Sequence, residues 1–197
     1  MPAILTLHEL LKAKDPTFDP KNCKLHFATT SGRNPLHVFF EGGFEKWQED
    51  QGQKNFGRKF VVSVIQQHRW IWLFAGVWRV LHVGPRKPRG FLYQTEPVDA
   101  FDPLVGRVLV EYAKPFRNSY PNAETCIDEM HVVEVLSERM AFRDFPGIGS
   151  VTLSFDDLRL VVEQGLPGWK SPLSSFGGIY LIADGETGKL YVGQAPG

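Results

Sequence analysis

At 197 residues, with 22 basic and 22 acidic side chains, the chain has zero formal net charge and the length of one domain, or of one domain and part of a second. An apolar fraction of 43%, including 5 Trp, 15 Phe and 5 Tyr, fills a real core and excludes wholesale disorder. The longest apolar run, residues 70–83, is broken by Arg79 and His82 and falls short of the ~18–20 residues of a spanning helix. No basic-then-apolar leader opens the chain, so no membrane association is expected. Cys23 and Cys126 lie too far apart for a disulfide framework or a zinc knuckle, which makes a free-thiol, cytoplasmic protein the expectation.

In chain order, Thr6 and Glu9 fit a capping box that opens a short helix through Leu10 and Leu11, and Pro16 and Pro20 stop anything longer. Residues 25–28 read as a strand, and so do residues 36–40 after the turn-prone 31–35. Residues 44–53 are polar around Trp47 and read as a short helix or a long loop. Strands are expected at 60–65 and 70–74, with Gly76 marking a bulge or barrel bend before Val77, Val80 and Val83. Residues 85–90 make a basic turn, and further strands are expected at 91–95, 107–112 and 131–136. Ser154 caps a helix that Gly165 and Pro167 close. The fold class is therefore α+β: a β-rich domain over residues 1–165, with a bent sheet or small barrel and a few helices, a Pro/Gly/Ser-rich linker over 166–176, and a terminal hairpin over 177–197.

The zero net charge conceals an asymmetry. Residues 1–95 carry 14 Lys and Arg against 7 Asp and Glu, a balance of +7, and residues 96–197 carry 8 against 15, a balance of −7. Residues 51–95 hold eight cations (Lys54, Arg58, Lys59, Arg69, Arg79, Arg86, Lys87 and Arg89) and no carboxylate. Such a stretch repels itself unless an anionic partner lies against it or the acidic half folds back on it.

The last segment carries a motif. Gly178-Ile179-Tyr180 and Tyr191-Val192-Gly193 stand ten residues apart and flank a Gly-containing turn, so the pair reads as a hairpin. The two tripeptides and their spacing resemble the opening of the GIY-YIG nuclease domain, with YVG in place of YIG. The resemblance covers about twenty residues. It implies that Tyr180 and Tyr191 stand beside a scissile phosphate, Tyr180 helping to deprotonate the attacking water and Tyr191 orienting the phosphate or sharing that role. In that family a downstream arginine stabilises the charge developing on phosphorus, and a downstream glutamate holds a divalent metal, Mg or Mn. This chain departs from the pattern by ending four residues after Gly193, so both groups lack a counterpart. The metal is expected only in a longer parent protein.

Residues 1–165 also resemble the upstream part of bacterial GIY-YIG proteins, at Trp47-Gln48, Asn55-Phe56 with Arg58, residues 63–65 and residues 72–77. Modification-dependent restriction enzymes, which this organisation resembles, often join such a nuclease to a PUA-like or related base-flipping sensor. The resemblance implies that DNA is the partner, with a modified base extruded into an aromatic pocket as part of defence against foreign DNA. Stacking worth about 1–3 kcal/mol per base and phosphate contacts offset the extrusion cost. The binding candidates are Trp47, Asn55, Arg58, Lys59, Trp72, Arg86, Lys87 and Arg89, with Trp47 preferred for stacking because it is a large apolar group in a polar segment. Trp70, Trp72 and Phe74 share strand parity and read equally as packing residues.

The six histidines show no metal-ligand spacing, although His26 and His37 could meet across adjacent strands, and no metal site is expected. Asp128 and Glu129 would point to opposite faces of a strand, and residues 147–150 read as a turn rather than a phosphate loop. Two other classes stay open. One is a non-catalytic RNA- or nucleotide-binding module, and the other is a structural domain whose basic half is neutralised by its acidic half. On the nuclease reading, the 197-residue chain leaves plasmid DNA intact in Mg²⁺ or Mn²⁺, because the arginine and the metal ligand are missing. Sustained cleavage abolished by Tyr180→Phe, in an agarose-gel assay, overturns that expectation.

Overall fold

The computed structural model describes residues 5–30, 32–175 and 177–195. The first helix starts as its local chemistry dictates. Thr6 Oγ1 accepts from Glu9 N–H at 3.2 Å while the Glu9 carboxylate accepts from Thr6 N–H at 2.8 Å, opening α1 (Leu7–Lys14). The strand β1 (Cys23–Ala28) follows. Residues 36–40, expected as a strand, are instead the helix α2 (Pro35–Phe40). The reason is local: Asn34 Oδ1 caps Leu36 N–H at 3.0 Å, and Pro35 at the first helical position carries a preset φ. A second short helix, α3 (Phe44–Glu49), runs into β2 (Asp50–Gln51).

The rest of the sheet comes from β3 (Phe60–His68), β4 (Ile71–Pro85), β5 (Phe91–Pro97), β6 (Val108–Glu111) and β7 (His131–Val135). The strands run in the order β1-β3-β4-β5-β2, with β6 and β7 branching from β4, in a sheet curled into a half-barrel. β1 lies parallel to β3, and the remaining pairs are antiparallel. The fifteen-residue β4 serves two neighbours along one edge. Ile71, Trp72 and Leu73 pair with β6, whereas Trp78 to Pro85 pair with β5.

A bulge makes that division possible. Ser63 pairs with Gly76 and Val64 with Phe74, so Ala75 is the extra residue and side-chain parity switches across it. Trp72, Phe74 and Val77 accordingly all enter one core with Leu25, Phe27, Val62 and Val64 from neighbouring strands and Leu7 and Leu11 from α1. Gly76 has φ +130°, and a Cβ there would stand 3.2 Å from Trp78 Nε1. The opposite face of the sheet carries Ala28, Ile65 and Ala75 against Phe44 of α3, with Leu36 and Phe39 of α2 alongside.

The outer edge of β1 is covered. Leu25 N–H donates to Pro121 O and Phe27 N–H to Ser119 O, both at 2.9 Å. Residues 127–129, where a strand would have split Asp128 from Glu129, form a 3-10 turn instead.

The chain divides between Ala141 and Phe142 into two compact units. The sequence reading placed the first domain boundary later, at residue 165. In the second unit, Trp169 is buried against Phe142 and Phe145, and its Nε1–H donates to Arg143 O at 2.7 Å. The helix α4 (Phe155–Gln164) has Ser154 as its N-cap and Gly165 at φ +54° as its stop. Residues 166–176, read as a linker, contain the helix α5 (Pro167–Ser174), which starts on a proline and tolerates Pro172 inside it. The strands β8 (Gly178–Ala183) and β9 (Leu190–Ala195) pair as the expected antiparallel hairpin.

Among the described residues no helix is long and apolar enough to cross a membrane. Because Gly76 combines a positive φ with the close indole, Gly76→Ala is expected to lower stability by about 1–3 kcal/mol, read as a fall in the urea midpoint.

Candidate functional site

One face of the first unit opens into a cavity of about 440 Å³. Its walls come from β1 (His26, Phe27, Thr29), α3 and β2 (Trp47, Asp50, Gln51), the loop that follows (Gly52, Gln53, Asn55) and the segment Ser119-Tyr120. Strand parity explains His26. Leu25 and Phe27 enter the main core, so His26 points to the other face, where a polar ring meets the α3 side of the sheet.

The aromatic groups are arranged around that imidazole. Trp47 stacks on it with centroids 5.9 Å apart and planes inclined by 16°, and Tyr120 does so at 5.1 Å and 21°. Phe56 stands behind them, tilted 54° to His26 at 5.7 Å. Trp47 is held in place by its helix: Phe44 packs beneath it, and Glu49 at the end of α3 accepts from Thr95 N–H at 2.6 Å and Thr95 Oγ1–H at 3.0 Å on β5. The loop carrying Asn55 is pinned where Phe56 N–H donates to Tyr93 Oη at 3.2 Å.

A polar ladder runs along the wall. Asn55 Nδ2–H donates to Gln51 Oε1 at 2.8 Å, and Gln51 Nε2–H donates to Gln48 O at 2.7 Å. Ser63 Oγ–H donates to the buried Gln48 Oε1 at 2.7 Å, and His26 Nδ1 lies 3.3 Å from the same oxygen. Since that oxygen can only accept, Nδ1 carries the proton and Nε2 is left as an acceptor. Gln48 Nε2 is buried with no hydrogen-bond partner among the described residues. Burial pushes His26 from its ordinary 6.5 down to about 4, against the opposing pull of the Gln48 bond, so the ring is neutral at pH 7. Burial likewise raises the Tyr120 phenol, and its hydrogen bond with Gln51 offsets part of that rise.

Cations stand at the rim, not in the wall. β2 pairs with β5 through Asp50–Leu92 and Gln51–Phe91, which brings the β4–β5 turn against the cavity mouth. There Arg86 forms an ion pair with Asp50 and donates from Nε to Arg89 O at 3.2 Å, while Lys87 and Arg89 are exposed. Lys54 sits over the Phe91 ring at 5.4 Å.

No protein-family model, no curated protein and no solved structure matches this chain. The functional reading therefore rests on the site's own chemistry.

The structure brings together some of the sequence candidates and separates others. Trp47 and Asn55 line the cavity, and Arg86, on the turn that also carries the exposed Lys87 and Arg89, pairs with the lining residue Asp50. Arg58 lies elsewhere. Its fork pairs with Glu124, reaching Oε1 at 2.8 Å, and it donates to Cys23 O at 3.2 Å, which holds the Glu124 carboxyl below its usual range. Lys59 lies over Phe60 at 5.2 Å. Trp72 is a core residue, buried against Phe27 with Nε1–H donating to Tyr112 O at 3.0 Å. Trp70 closes the β3–β4 turn at φ +72° and is 40% exposed, so it leaves the face shared by Trp72 and Phe74. His37 lies on α2, not on a strand adjacent to His26. Sequence reasoning weighed His26 only as a metal ligand, named Gln48 and Ser63 only as part of a resemblance, and assigned no site role to Asp50, Gln51 or Tyr120.

The hairpin of the second unit places Tyr180 opposite Gly193 and Ile182 opposite Tyr191, so both tyrosines share one face. Tyr180 lies over the bare backbone of Gly193, where a Cβ would meet its ring. A side chain at Gly193 would therefore have to displace the Tyr180 ring. Among the described residues no group of three or more His, Cys, Asp or Glu side chains can hold a metal ion.

The buried imidazole gives the cavity a pH signature. Below pH 6.5 the unfolded chain protonates His26 while the folded one stays neutral down to about 4, so stability falls as pH drops through that window. The His26 contribution amounts to roughly 3 kcal/mol when the window is crossed completely. His26→Gln is expected to flatten the stability–pH curve between pH 6.5 and 4, measured by urea unfolding at each pH.

Proposed function

We propose that this chain is the DNA-recognition portion of a GIY-YIG-type endonuclease, and that the cavity of its first unit receives a base extruded from modified DNA. The observation that carries this reading is an aromatic cavity, with Trp47 and Tyr120 both near-parallel to the His26 ring, whose polar edge is Asp50, Asn55 and Ser119 and whose rim is cationic. A flat heterocycle with polar edges stacks on such walls, while its flanking phosphates meet Arg86, Lys87 and Arg89 outside. The curled sheet supports a PUA-like assignment, in which the pocket sits on the sheet face opposite the main core.

The charge pattern also supports it. Of the eight cations in residues 51–95, Arg58, Arg79 and Arg86 meet Glu124, Glu96 and Asp50, which neutralises only part of the stretch. Lys87 and Arg89 stand exposed on the turn beside the cavity. In this reading residues 178–193 are the opening hairpin of the nuclease domain. Tyr180 and Tyr191 lie on one face of that hairpin, toward a phosphodiester, and the Mg or Mn of the reaction is held by residues that the family carries beyond it.

The test is a salt titration of DNA binding. Affinity is expected to fall with a log–log slope of about −0.9 per phosphate neutralised, and replacing Arg86, Lys87 and Arg89 together by Ala should flatten it equally for all sequences. Trp47→Ala should weaken binding to duplex with a mismatched or modified base by about 1–3 kcal/mol, and binding to plain duplex by less. Thermal melts come first, because Trp47 also packs on Phe44 and His26. Absence of DNA binding at low salt overturns the reading, and tight binding of RNA or a free nucleotide instead moves the cavity to that class.

A further inference from the structure

We propose that Asp50 is the group in the cavity that discriminates between bases, and that Arg86 holds it in the free protein and exchanges it for a DNA phosphate on binding. The proposal rests on the base-extrusion reading and names the base class that reading leaves open: a base with an exocyclic amine, that is cytosine, adenine or guanine, over thymine.

Among the described residues that line the cavity, Asp50 is the only carboxylate. The neighbouring polar groups are largely committed to each other. Gln51 Oε1 accepts from Asn55, Gln51 Nε2–H donates to Gln48 O, and His26 Nδ1 faces Gln48. Asp50 is tied to Arg86 through Oδ2, which leaves Oδ1 outside the ion pair. An ionised carboxylate only accepts, so it welcomes the N4 amine of cytosine, the N6 amine of adenine or the N2 amine of guanine and repels the O4 carbonyl of thymine.

Arg86 is placed to couple that readout to the backbone. Its guanidinium and the Asp50 carboxylate are each 43% exposed, and a half-exposed pair of this kind is weak enough to exchange. Arg86 Nε is occupied by Arg89 O, which orients the fork at the rim between the cavity and the exposed Lys87 and Arg89. A phosphate arriving there offers the guanidinium a bidentate partner and releases both Asp50 oxygens to the base. Asp50 therefore lowers affinity for a strand it cannot read, because it competes with phosphate for Arg86, and recovers that loss only on an amine-bearing base.

Fluorescence anisotropy with labelled oligo-dC and oligo-dT, over a range of salt, tests this on the intact chain. Wild type is expected to prefer oligo-dC by about tenfold. In Asp50→Asn the preference should fall below about twofold or reverse, while affinity for oligo-dT rises. Arg86→Gln should keep the preference and lose about 0.7 from the single-strand salt slope. No binding of either strand by wild type at low salt sinks the DNA reading and this proposal with it. Binding without preference, or a preference that Asp50→Asn leaves intact, sinks the proposal alone. Should Asp50→Asn melt early, Arg86→Gln decides: loss of preference in that variant overturns the exchange.

Discussion

The extra residue at Ala75, opposite Ser63, is the constraint on which the first unit depends. Without it Val77 would leave the core that Trp72 and Phe74 occupy, and β4 would run flat past β3. With it, the strand bends and offers its edge first to β6 and then to β5. β5 in turn pairs with β2, and β2 continues from the helix that carries Trp47. The cavity therefore hangs on a glycine more than twenty residues away from its aromatic wall. The positive φ of Gly76, with the Trp78 indole close by, disfavours a side chain there.

The two faces of the sheet divide their work. One is a dry core of Leu, Val and Phe together with the Trp72 indole, whose N–H is satisfied by Tyr112 O. The other mixes Ala28, Ile65 and Phe44 with Ser63, Gln48 and His26, and it is on this side that stacking surfaces and polar edges coexist. Charge follows the same division. The cavity wall holds a neutral imidazole and a single carboxylate, while the cations sit outside on a turn. A wall without cations does not trap phosphate, so an anionic polymer is drawn to the rim while its heterocycle meets the interior.

Much of this organisation was legible in the sequence where the signals are local. The capping box at Thr6, the bend at Gly76, the basic turn and the Tyr-bearing hairpin each depend on neighbours a few residues apart, and each has its expected form. α2 was misread because the apolar composition of residues 36–40 suits a strand, whereas the decisive signal was the Asn34-Pro35 pair in front of it. α5 was hidden by its Pro and Gly content. Trp47 was found because a large indole in a polar segment is conspicuous, yet its partners were not. His26, Gln48, Ser63 and Tyr120 converge from four separate stretches, and only strand register and sheet curvature bring them together. Arg58 shows the opposite limit, since a cation in a basic run gives no sign that a glutamate 66 residues later will occupy it.

The segment that supplies Ser119 and Tyr120 to the cavity also accepts, through its carbonyls, the N–H groups along the outer edge of β1. Those bonds close the one margin of a parallel pair that would otherwise present free N–H groups to any passing chain. Widening the cavity by loosening this segment would uncover an adhesive strand, and the molecule would trade ligand access for self-association. Evolutionary or engineered changes in ligand size are therefore channelled to the opposite wall. There α3 and the loop after β2 can be lengthened or repacked without unmasking a template for aggregation.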